Sequence, residues 1–282
     1  MAHWRSALRS RVGLLASAAV SVLAAGPAGA VPTTCPSDAG TSTCEVTVGN
    51  TTVIVEAGDE YLAVFSWTIA GVEQLYLEQF PILDVLAIPQ KGFDLLFASA
   101  TADDATATIE AQFMEAQGIF HETATFTLTA TPDGAVLDES IALDSLTKTR
   151  ATRLYAVTDF DLDGTSLDES IQASAGGGLI VQTDGSVTAV SEAGNPPPDA
   201  FQVAKSATLA DLGSGTTFFP LDGTASVPGF DDFAFAVSWD RTLGSGDALS
   251  VALRRQITVP EPTLAACAAA SVLTLLALRA RR

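Results

Sequence analysis

Histidine and cysteine are scarce in this chain, with two and three copies among 282 residues. His3 falls in the first 30 residues, so the body keeps His121 alone, and a zinc site built from histidine and cysteine has too few ligands. A serine hydrolase would need His121 as its base, but the chain has no G-x-S-x-G elbow and His121 stands in a run of alternating threonines. Gly176-Gly177-Gly178 lacks the lysine and hydroxyl residue that complete a phosphate loop, and it opens a strand rather than a helix. Basic residues are few as well, 14 lysines and arginines against 33 acids. Such a surface is a poor partner for nucleic acid and anionic lipid. No apolar run reaches the ~20 residues of a full membrane span.

The basic residues are also unevenly placed. Arg5, Arg9 and Arg11 stand in residues 1–30 and Arg279, Arg281 and Arg282 in residues 263–282, and neither end holds an acid. Residues 31–262 therefore set eight basic residues against 33 acids, a formal net charge of −25. The first end reads as a cleaved secretory signal. It has a basic start, an apolar stretch from Val12 to Ala25, and Ala28-Gly29-Ala30 at the spacing a signal peptidase reads. The expected domains are a signal peptide with its helix over 1–30, a β-sandwich domain over 31–258 and a sorting segment over 259–282. That last segment holds Leu264–Leu278, 15 mostly apolar residues, which as a helix span about 23 Å against a hydrocarbon core of about 30 Å. Bilayer thinning or snorkelling of the arginines lets such a helix cross. The terminal arginines hold their end on the cytoplasmic side, which leaves the acidic body outside.

Val259-Pro260-Glu261-Pro262, the short apolar helix and the terminal Arg279, Arg281 and Arg282 stand in the order of a known address. Together they resemble the PEP-CTERM sorting signal of exopolysaccharide-producing bacteria. The resemblance implies an exported protein held in the membrane by its C-terminal transmembrane sorting helix until an exosortase, a membrane-embedded cysteine protease, cuts near Pro-Glu-Pro. It implies a final place on the cell surface or outside the cell, with exopolysaccharide as a candidate partner. An ordinary C-terminal anchor predicts the same topology without cleavage. A second resemblance concerns the body. FSWTIAGV (65–72), YAVTDFDLDGT (155–165), VQTDG (181–185) and FAFAVSW (233–239) are similar to landmarks of an uncharacterised β-domain found in some PEP-CTERM proteins. That likeness implies a fold and an address, and no activity.

Cysteine usage agrees with export. Cys35 and Cys44 frame the loop CPSDAGTSTC just after the predicted cleavage point, and in an oxidising compartment such a pair is expected to form a disulfide.

The body repeats with a period of two. In 120–131 the even positions read Phe120, Glu122, Ala124, Phe126, Leu128 and Ala130, and the odd ones His121 followed by five threonines. This is the pattern of a half-buried strand. Phe233, Phe235, Val237 and Trp239 are expected to share one face, and Phe65, Trp67 and Ile69 another. Gly49-Asn50, Pro132-Asp133-Gly134 and Asp184-Gly185 supply hairpin turns. One helical turn fits Ser206–Leu212, and the expected class is all-β, an antiparallel β-sandwich. The run L-D-E-S-I occurs at 137–141 and again at 167–171, which reads as two similar turn-to-strand entries.

The most chemically suggestive run is Asp159, Asp161 and Asp163 followed by Gly164, the D-x-D-x-D-G opening of a calcium loop. The bidentate glutamate position of an EF-hand is occupied by Ser170, with Glu169 one residue early, so only a looser calcium site on a sandwich rim remains. The bland reading of the same residues is a strand end with its aspartates in water and Phe160 and Leu162 in the core. No other cofactor is indicated. No two acids stand at a marked separation, so the leading expectation is a non-enzymatic, polysaccharide-associated surface or extracellular-matrix protein. Its rival is a secreted carbohydrate-active enzyme using paired carboxylates.

Overall fold

Alternation and turn chemistry together produce a chain of antiparallel hairpins. The computed structural model describes residues 35, 37–38, 41–58, 61–84, 94–103, 105–115, 118–147, 149–164, 169–213 and 217–260. The predicted signal helix, the sorting helix and Glu261, Pro262, Arg279, Arg281 and Arg282 lie outside these residues. Among the described residues no helix is long and apolar enough to cross a membrane.

The described residues open with strands of one sheet: β1 (Ser37–Asp38), β2 (Thr41–Val48), β3 (Thr51–Gly58), β4 (Tyr61–Ile69), β5 (Val72–Leu75), β6 (Leu77–Gln79) and β7 (Ile82–Asp84). It then lays down a meander in a second sheet, β8 (Asp94–Asp103), β9 (Thr106–Glu115), β10 (Gly118–Thr131) and β11 (Gly134–Ser145). Strand β12 (Arg150–Asp159) returns to the first sheet, while β13 (Ser170–Ala173), β14 (Leu179–Asp184) and β15 (Val187–Ala193) extend the second. Last come β16 (Ala200–Lys205), the helix α1 (Ser206–Gly213), β17 (Phe233–Leu243) and β18 (Ala248–Thr258). The first sheet runs β1-β2-β3-β4-β6-β12-β17-β16, with β5 on β4 and β7 on β12; the second runs β13-β14-β15-β18-β11-β10-β9-β8. One core draws on both sheets, from Val53, Trp67 and Phe235 on one side to Phe126, Ile141 and Val251 on the other. The architecture is an antiparallel β-sandwich.

Strand β10 shows how sequence sets this geometry. Phe120, Glu122, Ala124, Phe126 and Leu128 are buried and the threonines between them are half-buried or exposed. Its register of Thr127 with Asp138 and Phe120 with Ser145 keeps Phe120, Ala124, Phe126 and Leu128 on the core face.

Two stretches depart from simple alternation. Trp67 and Ile69 are buried, but Phe65 is only half-buried. The pairing steps from Ile54–Ser66 to Val55–Val64, so Phe65 is the extra residue of a bulge, and Leu62 and Val64 continue the buried row beyond it. In β17 the residues between the aromatics, Ala234, Ala236 and Ser238, are buried too. The reason is a second layer: Leu209 and Leu212 of α1, with Phe218 and Leu221, cover Tyr155, Val157, Ala234 and Ala236 on the outer face of the first sheet. The Tyr155 and Phe218 rings lie 5.8 Å apart there.

The core also holds charge. Arg255 of β18 and Glu78 of β6, each 1% exposed, are paired across the two sheets. Arg255 Nη2 donates to Thr158 Oγ1 over 3.3 Å, and Thr158 Oγ1 donates to Glu78 Oε1 over 2.7 Å. Glu139 stands 3.8 Å from Arg255. Burial first, and then the Glu78 charge, push the Glu139 carboxyl well above the usual carboxylate range, so the single guanidinium serves mainly Glu78. Glu122, fully buried, accepts no hydrogen bond among the described residues, and burial pushes it up to about 8.

Candidate functional site

The acidic run of the sequence lies where β12 leaves its sheet. Phe160 and Leu162 point into the core, 1% and 0% exposed, and the Phe160 ring packs 6.2 Å from that of Phe235. Strand-like alternation therefore turns Asp159 and Asp161 the other way. The chain then tightens into a single 3-10 turn, Leu162–Gly164, with Asp163 in the left-handed region at φ 57°. The turn is closed by Gly164 N donating to Asp161 O over 3.1 Å, and Asp163 N donates to Gln74 Oε1 over 3.3 Å.

This geometry divides the three aspartates. Asp159 and Asp161 join Asp232, the residue before β17, in a group in which one carboxylate oxygen from each residue lies within 4.8 Å of the other two. Asp163, exposed on its turn, is outside that group. Asp232 is fixed by the backbone: its carbonyl accepts from Ser206 N over 3.0 Å, at the start of α1. Ser206 Oγ in turn donates to Asp159 Oδ2 over 2.6 Å. The other oxygen, Asp159 Oδ1, is enclosed and accepts no hydrogen bond among the described residues.

Two glutamates complete the surroundings. Glu169, fully buried, is bonded from three directions, with Oε1 accepting from Leu162 N at 3.3 Å and Oε2 from Gln182 Nε2 at 2.7 Å and Phe233 N at 3.2 Å. It ties the turn to β14 and β17, which is why it does not serve as an EF-hand's closing ligand. Glu73 of β5 accepts from Ser66 Oγ at 3.0 Å and Trp67 N at 2.9 Å.

The electrostatics follow from burial first and from crowding of like charges second. Burial pushes Glu169 up to about 9, with Asp159 and Asp161 adding to the rise against the two backbone donors. Burial raises Asp159 well above its ordinary range, helped by Asp232 and Asp161 and opposed by Ser206. Asp161 rises to about 6 through burial, then Asp232 and Glu73. Three hard oxygen ligands that repel one another suit calcium, which takes six to eight oxygens in flexible geometry. The hollow that Asp159 and Ser206 line beside Tyr76 and Leu209 is about 50 Å³. It has room for a few waters and is far below the ~300 Å³ of ordinary ligand sites. A sugar ring does not fit there.

His121 lies on the other sheet, with Nδ1 3.6 Å from Asp144 Oδ2, away from the aspartate group. Cys35 and Cys44 are bonded, S–S 2.06 Å, nine positions apart. Of the expected sorting motif, Val259 is half-buried against the core and its N donates to Asp133 O over 2.7 Å, while Pro260 is exposed.

No family model matches the chain, and no curated protein matches it. Solved structures do. A putative aldose 1-epimerase of Escherichia coli K12 superposes with a TM-score of 0.53 at 9% identity, over 78% of this chain and 100% of that one. A galactose 1-epimerase of Lactobacillus acidophilus NCFM gives 0.47 at 9% identity over 80% of this chain and 98% of that one. A bacterial glucoamylase complexed with acarbose gives 0.48 at 8% identity over 79% of this chain, and the match spans 31% of that longer chain. At such identity the first likeness is one of fold.

Proposed function

We propose that the chain is an exported surface or extracellular-matrix protein, sorted through a PEP-CTERM and exosortase route, that associates with polysaccharide without turning it over. The observation that carries the export half is the bonded Cys35–Cys44 pair, since such bonds persist in oxidising compartments. The signal-like start and the Val-Pro-Glu-Pro tail with its arginines supply the route. The fold is shared with a putative aldose 1-epimerase, a protein named for a sugar, which agrees with a saccharide partner. The aspartate group of Asp159, Asp161 and Asp232 serves as a calcium site that steadies the rim.

One observation favours a second reading, a carbohydrate-active enzyme: carboxylates converge, and Asp161 sits at about 6. Against it stands the 50 Å³ hollow at Asp159, too small for substrate. Deleting the exosortase from the native host tests the leading reading. The chain should then accumulate in the membrane with its tail attached. Unchanged release and size in the deletion strain would overturn the route.

A further inference from the structure

The second sheet shows solvent an ordered face. Cross-strand register places Thr101 opposite Thr108, Thr108 opposite Thr125, Thr125 opposite Ser140, and Ser140 opposite Ala252. The adjacent row runs Thr106, Thr127, Asp138, Arg254 and Glu192. Hydroxyls pair across strands, Thr106 with Thr127 at 3.3 Å and Thr108 with Thr125 at 3.4 Å. Strand preference alone explains threonine on a half-buried face. It does not explain the small residues at the end of the first row, where Gly194 N also donates to Ala252 O over 2.8 Å. Ser140, Ala252 and Gly194 are exposed and leave a groove of about 340 Å³ between Thr125 and Thr127 on β10 and Glu192 on β15. The volume falls within the ~300–1,000 Å³ of ligand sites.

The groove's chemistry is that of hydroxyl recognition. Arg254 Nη1 donates to Asp138 Oδ1 over 2.9 Å, leaving further guanidinium donors, while Asp138 and Glu192 accept and the threonine and serine hydroxyls do both. Neighbouring donors and acceptors match the vicinal hydroxyls of a sugar. The charge selects further. Arg254 neutralises Asp138 and Glu192 leaves a small negative excess, so the groove itself holds no dense acid patch to seat a polycation, while the body's −25 repels a polyanion. Each row crosses four strand spacings, about 19 Å at ~4.8 Å each, which is the reach of a polymer rather than of one sugar.

We infer that this groove and its threonine rows are a docking track for a neutral, hydroxyl-rich polysaccharide chain. The inference rests on the polysaccharide-associated reading above and gives it a place. Electrophoresis of the detergent-solubilised full chain through gels holding laminarin, dextran or galactomannan, with alginate as the anionic comparison, tests it. At least one neutral glycan should retard the wild-type chain and alginate should not. Ala252→Trp, which fills the groove, should weaken retardation at least tenfold, and Arg254→Ala with Glu192→Gln should weaken it similarly. Ala248→Trp, the same substitution four residues back on β18, should leave it intact, with melting temperatures showing that each variant folds. Equal retardation of wild type and both groove variants would overturn the track while leaving polysaccharide association standing. No retardation of wild type by any neutral glycan would overturn both, and preference for alginate would overturn the assignment of charge.

Discussion

Arg255 Nε donates to Glu78 Oε1 over 3.0 Å, joining the two sheets at a point where neither side chain is more than 1% exposed. A buried pair of this kind is hard to break from one side, because removing one partner leaves a charge with nothing to offset its desolvation. Arg255→Met should therefore destabilise by about 3–5 kcal/mol in urea unfolding, and Arg255→Met with Glu78→Leu should recover most of that. A loss below about 1 kcal/mol in the single variant would contradict this view of the core.

Glu122 should make stability depend on pH in an unusual direction. Its folded value, about 8, lies above the value of an unfolded carboxyl. The folded state thus holds a proton that the unfolded state has released. The contribution is full below about pH 4.5 and is lost as pH rises towards 8, with a slope of about 1.4 kcal/mol per pH unit for one group. Glu122→Leu should flatten the wild-type slope between pH 5 and 8 by about that amount and stabilise the protein at neutral pH. An unchanged slope would show that Glu122 is not buried neutral.

Much of the architecture is legible in the sequence, because alternation and turn residues act locally. The threonine face of β10 and the aromatics of β17 are found where the pattern puts them. The bulge at Phe65 is not legible, since it depends on how β3 pairs, and neither is the second burial of β17, which needs α1 to fold over it. The aspartate group is half legible. Asp159 and Asp161 carry the two-residue spacing, but the left-handed turn at Asp163 breaks it. Asp232, over 70 positions later, is brought in by sheet pairing that no local motif encodes. The repeated L-D-E-S-I runs place Glu139 and Glu169 in buried positions of two different strand entries, a likeness of packing.

Calcium should distinguish the aspartate set. Millimolar calcium should raise the melting temperature of the wild-type chain relative to chelator, with about 2.7 kcal/mol gained when calcium is at a hundred times its Kd. Asp161→Asn with Asp232→Asn should abolish the increment, and Asp163→Asn should keep it. An equal rise in every variant, matched by sodium at the same ionic strength, would mean general screening of the acidic body.

The Cys35–Cys44 bond closes a short loop, so its removal should cost about 2–3 kcal/mol on the loop-entropy account. Cys35→Ser with Cys44→Ser should lower the melting temperature, and reductant should have no further effect on that variant. Peptide mapping that finds both thiols free in exported protein would contradict the pairing.

Mass spectrometry of the surface form from the native host tests the sorting account most directly. The account predicts a mature chain that begins near Val31 and stops between Val259 and Pro262. A surface form that still carries Arg282 would contradict it.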